Sequence, residues 1–172
     1  RRQRQMCIRD RFLTRRSLLA CSASFAAAPF AAWAEQKPAI HVMKDPNCGC
    51  CSAWIEILEN EGFAVTTERS MGTLLIKYKQ DNGIPQEMAS CHTGKIDGYM
   101  IEGHVPPADI RNLLAERPDA IGLAVPGMPY GSPGMGPESE RDAYDVYLIA
   151  RDGSSEVFSS YDAASVSYTH LT

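Results

Sequence analysis

The 172-residue sequence predicts an α/β fold, a single domain with a mixed β-sheet flanked by helices. Three observations predict it. Short apolar, β-branched segments alternate with stretches of helical periodicity. The opening strand–helix–strand order implies two parallel strands joined by a right-handed crossover. Two β-rich runs near the end flank a Ser/Gly-rich turn, which adds an antiparallel hairpin.

Along the chain, Ala39 to Met43 is a first strand. Lys44-Asp45-Pro46-Asn47 is turn chemistry and leads into Cys48-Gly49-Cys50-Cys51. From Ser52 to Glu61, Trp54, Ile55 and Leu58 recur at helical spacing with Glu56, Glu59 and Glu61 opposite, and Gly62 closes the helix. Phe63 to Glu68 reads as a second strand. Met71 to Gln80 reads as a second helix, with Leu74, Leu75 and Tyr78 on one face and Asp81 to Pro85 ending it. Residues 86–96 read as a loop holding Cys91 and His92. Gly98 to Glu102 is a strand. Pro106-Pro107 opens a helix through Ala115. Ile121 to Val125 is a short apolar segment, and 126–137 is an irregular Pro/Gly loop with Met128 and Met135. Runs 144–150 and 156–159 form the hairpin. With cysteines at the first strand–helix junction, this order points to a thioredoxin-like architecture.

Charge divides the chain into blocks. The formal net charge is −4, which argues against nucleic-acid binding. Residues 1–34 carry seven Arg and one Asp, whereas 35–165 carry ten Lys/Arg and twenty Asp/Glu. Thr14-Arg15-Arg16-Ser17 precedes an Ala-rich apolar run ending in Ala32-Trp33-Ala34. A basic start, an apolar middle and an Ala-x-Ala site make residues 12–34 an export leader, with the paired Arg resembling a twin-arginine signal. The expected mature protein is periplasmic, with no stable membrane insertion. Met6 to Asp10 can be encoded so that its reverse complement reads Val166 to His170, so residues 1–11 and 166–172 are read as sequencing-adapter artefacts. The working domain is then 35–165.

Four cysteines fall in that domain: Cys48, Cys50, Cys51 and Cys91. Three crowd a helix N-terminus, where unpaired N–H groups favour thiolates. Cys48 and Cys51 are roughly 60° apart around a helix axis. Three chemistries compete: a Cys-x-x-Cys redox pair, a soft-metal thiolate site, and two structural disulfides. Zinc normally takes two separated ligand knuckles. A tight triple with one distant cysteine suits bridging thiolates around Cu(I), in a multinuclear cluster. His104, at a strand end, is a candidate nitrogen ligand, and Met128 and Met135 offer thioethers. His92 is expected to face solvent and His41 to be a satisfied core residue.

These residues also carry a resemblance. Lys44 to Cys51, Met88 to Thr93, Tyr99 to Pro106 and Gly122 to Pro129, with Gly131 to Met135, resemble domain-of-unknown-function family 411 in the right order across about residues 38–160. The resemblance implies a thioredoxin-like fold, export and copper resistance. It carries Cys48, Cys50, Cys51 and Cys91 over as Cu(I) ligands, with His104 and Met128 near the site. Gly136 departs from the acidic residue common there. The function expected is copper binding rather than catalysis, with a copper efflux or chaperone partner. The alternative is a thiol–disulfide or copper oxidoreductase using Cys48 and Cys51.

Overall fold

The computed structural model describes residues 36–165, so the leader and both end segments lie outside the described residues. Strand β1 (Ala39–Lys44) buries Ile40, Val42 and Lys44 by simple alternation. His41 therefore points to the opposite face, half exposed against Thr66 and Glu68, and is not the core residue expected. Helix α1 (Gly49–Asn60) starts three residues earlier than its periodicity suggested, because Cys48 caps it. Cys51, Trp54, Ile55 and Leu58 form its buried stripe. At its end Gly62 takes φ +86°, and the N–H groups of Gly62 and Phe63 bond the carbonyls of Glu59 and Leu58 at 3.0 Å. That is a Schellman closure.

Strand β2 (Ala64–Arg69) pairs parallel to β1. Helix α2 (Thr73–Asp81) buries Leu75 and Lys79, while Leu74 is 68% exposed and leaves the face assigned to it. The segment expected as a loop holds strand β3 (His92–Ile96), followed by β4 (Tyr99–Glu102). β3 has a central glycine and few β-formers, yet it pairs with both β1 and β4. The ladder on each side outweighs its weak propensity. A Cβ on Gly94 would sit 2.7 Å from the Ile40 Cδ1, so a side chain there has to displace the tip of Ile40. Helix α3 (Pro107–Glu116), β5 (Ala120–Ala124), β6 (Tyr144–Ala150) and β7 (Ser155–Tyr161) complete the chain.

The seven strands form one sheet in the order β2-β1-β3-β4-β5-β6-β7. The first four strands, β1 and β2 parallel and β3 and β4 antiparallel hairpin partners, have the thioredoxin-like arrangement; β5 to β7 extend it. Trp54, Leu58, Ile101, Leu113 and Leu123 are central to the core. Register decides which strand ends meet. Lys44 opposes His92, Thr93 opposes Glu102, and Glu102 opposes Ala124. The ends of β1, β4 and β5 and the start of β3 thus gather at one edge of the sheet. Among the described residues, no helix is long and apolar enough to cross a membrane.

Candidate metal centre

The loop after β1 is shaped to deliver sulfur. The Asn47 N–H bonds the Asp45 carboxylate at 2.8 Å, and the Cys48 N–H bonds the Asp45 carbonyl at 3.2 Å. The buried Lys44 side chain donates to the carbonyls of Asp45 and Cys48 at 3.0 and 3.3 Å. Cys48 then takes the N-cap position, and its sulfur accepts the Cys51 N–H at 3.3 Å. Cys48 and Cys51 are joined in a disulfide, with Cα atoms 5.4 Å apart. The Cys50 thiol is free and lies 3.4 Å from the Cys48 sulfur.

The fourth sulfur comes from a segment forty residues away. Cys91 is a free thiol just before β3, and its carbonyl lies 3.9 Å from the Cys51 sulfur. The sulfurs of Cys48, Cys50, Cys51 and Cys91 all lie within 4.8 Å of one another. The sequence-predicted sulfur set is therefore brought together.

Two imidazoles meet Cys91 from the other side. His92 Nδ1 and His104 Nε2 each lie 3.2 Å from its sulfur. These three residues form a second group that could hold an ion, again with ligand atoms within 4.8 Å. His104 Nδ1 is 2.8 Å from the Pro133 carbonyl, which can only accept. Nδ1 therefore carries the proton, and Nε2 presents its lone pair to the sulfur. His92 is fully buried, contrary to the solvent-facing position expected for it. The start of β3 folds its ring under Trp54, with centroids 4.4 Å apart and the His104 ring edge-on at 5.0 Å. Its Nε2 has no hydrogen-bond partner among the described residues.

Burial sets the protonation states. It lowers both imidazoles, His92 well below the ordinary value with further repulsion from His104, so both are neutral donors at pH 7. Burial, then the neighbouring Cys50, pushes the Cys91 thiol up to about 11. An ion must therefore displace its proton. Met128 is 55% exposed in the loop after β5. That loop folds onto α1 at Gly134, whose φ is +84° and where a Cβ would come 2.7 Å from the Trp54 nitrogen and 2.9 Å from the Cys50 carbonyl. The residue missed by sequence reasoning is His92. Asp97-Gly98 carried the signal: a two-residue turn with φ 47° and 88° demands a strand on each side, and His92 begins the first.

This is a thioredoxin-like domain with a cysteine–histidine centre at one edge of its sheet. A family profile described as "Protein of unknown function, DUF411" matches residues 88–135. Two solved structures, of "Copper resistance protein copG" in Form 1 and Form 2, resemble the chain at TM-scores of 0.70 and 0.67. Both are 48% identical to it. The alignments cover 74% of this chain and 100% of the Form 1 chain, and 73% and 99% for Form 2. A comparison with curated proteins found no match. The chain belongs to the DUF411 family and is similar to these copper resistance proteins.

Proposed function

We propose that this protein binds Cu(I) through Cys48, Cys50, Cys51 and Cys91 and withholds or hands on the ion during copper stress in the periplasm. The observation that carries the reading is the gathering of four sulfurs within 4.8 Å from two distant segments. Soft thiolates select Cu(I) over harder ions. Cys91 belongs to both ligand groups, so one thiolate bridges two positions and supports more than one ion per chain. His92 and His104 supply neutral nitrogen. The leader-like residues 12–34 support the compartment, and copper handling makes an efflux or chaperone partner the natural recipient.

Cys48 and Cys51 bind as thiolates only after their disulfide takes up two electrons. That bond favours the second reading, a thiol–disulfide or copper oxidoreductase working at the helix N-terminus. Anaerobic titration of the reduced protein with Cu(I) separates the two. Metal binding predicts one or more ions bound tightly per chain, weakened by Cys50→Ser and by Cys91→Ser. Binding indifferent to both substitutions, with disulfide reductase activity lost only in Cys48→Ser or Cys51→Ser, supports the redox reading instead.

A further inference from the structure

Behind Cys91 and His92 lies a charged pair that metal binding leaves without a task. Glu102, at the end of β4, is fully buried, and Lys79 of α2 is buried beside it. One Glu102 oxygen accepts from the Lys79 ammonium and from the Ser90 N–H, the latter at 2.6 Å. The other accepts from the Thr93 hydroxyl at 2.6 Å, and Lys79 also donates to that hydroxyl at 2.7 Å. The carboxylate thus grips the residue before Cys91 and the residue after His92. Ser90 is held again from its own side chain, which donates to the Gly127 carbonyl at 2.5 Å.

Such a pair is a poor source of net stability, because removing two charges from water offsets their attraction. What it supplies is direction: charge-assisted hydrogen bonds are short and geometrically demanding. We propose that the Glu102–Lys79 pair is a positioning device for the metal centre, holding the Cys91 thiol and the His92 imidazole at the spacing an ion requires. The inference rests on Cys91 and His92 being ligands. Glu102 contacts neither ligand atom, so it acts through the backbone of Ser90 and the side chain of Thr93.

The test uses the reduced chain under anaerobic conditions, with Cu(I) affinity from chelator competition and Co(II) as a spectroscopic probe. Glu102→Gln removes the charge at nearly constant shape. Thr93→Val removes one grip and leaves the ion pair. Leu113→Ala, on the buried face of α3, is the control for lost stability alone. Glu102→Gln is expected to weaken Cu(I) by about ten- to a hundredfold, the usual effect of losing an outer support, and Thr93→Val by several-fold. Both should alter the thiolate-to-cobalt absorption. Leu113→Ala should lower the melting temperature and leave affinity and spectrum unchanged. Wild-type affinity and spectrum in Thr93→Val and in folded Glu102→Gln overturn the proposal. So does an equal loss in Leu113→Ala. If Glu102→Gln does not fold, Thr93→Val decides by the same readings. A wild-type chain that binds neither ion removes the metal reading and this inference with it, whereas normal wild-type binding with insensitive variants removes this inference alone.

Discussion

The Cys48–Cys51 disulfide should act as a gate on metal binding, and its cost can be worked from the loop it closes. The sequence separation is 3, so the loop is very short. Constraining so few residues in the unfolded chain is worth about 2 kcal/mol on the chain-entropy account. Reduction should therefore lower the melting temperature by roughly 6–10 °C in a domain of this size and leave it folded. Reduction also frees two thiols beside Cys50 and Cys91. A soft monovalent ion at a thousandfold excess over its Kd then returns about 4 kcal/mol, more than the disulfide supplied. The expected order of melting temperatures is reduced and loaded, then oxidised, then reduced and empty. Ag(I) is the better probe, because it shares the soft character of Cu(I) and has no ready oxidation step to open the disulfide. Scanning calorimetry under argon reads all states. The reasoning is refuted if the oxidised protein takes up as many equivalents of Ag(I) and gains as large a shift as the reduced protein. Cys48 and Cys51 would then not be ligands.

The same geometry sets three further outcomes. The Trp54 ring is 4.4 Å from His92, so Cu(I) should quench its emission in a chain lacking residues 1–34, with quenching reduced in His92→Leu and read by fluorescence titration. The Cys91 thiol is pushed up to about 11, so an ion it takes releases its proton, and that proton alone should raise affinity by about tenfold per pH unit from pH 6 to 8, checked by competition titrations. The same shift gives the metal-free protein a contribution to stability that is complete below pH 9 and lost as pH rises through 11. Gly103 has φ +73°, and a Cβ there would fall 2.6 Å from Ser90 and from the Val125 carbonyl, so Gly103→Ala should cost about 1–3 kcal/mol in chemical denaturation and push Cys91 away from His104.

The helices and the outer strands were legible because their signals are local. The stripe of Trp54, Ile55 and Leu58 needs only helical periodicity, and Gly62 needs only its freedom at positive φ. β3 was not legible from composition. Thr93-Gly94-Lys95 has little strand preference, and its ladder energy comes from β1 and β4, which sequence periodicity does not place beside it. The same omission hid His92. A histidine read in a loop faces water by default, whereas one at the start of a central strand is walled in by Trp54 and His104. The cysteines were recognisable for the opposite reason: three within four residues at a cap leave few chemical options, whatever the strands do.

The long reach from Cys51 to Cys91 is explained by topology rather than by any attraction between sulfurs. β1 runs toward the site, and β3, being antiparallel to it, starts there, so Lys44 and His92 are register partners. β4 returns antiparallel to β3 and ends there, which places Glu102, Gly103 and His104 beside Cys91. β5 runs parallel to β4 and ends there too, passing the chain to Gly127 and then to Pro133, the hydrogen-bond partners of Ser90 and His104. Had β3 been parallel to β1, its start would lie at the far end of the sheet. At about 3.3 Å per residue, a five-residue strand would then hold Cys91 more than 15 Å from Cys48. The antiparallel insertion of β3 is thus the step of the fold that makes four sulfurs and two imidazoles one centre. Substitutions that weaken its pairing, Gly94→Val against Ile40 foremost, should disperse the centre while sparing the α1 cap and its Cys48–Cys51 pair.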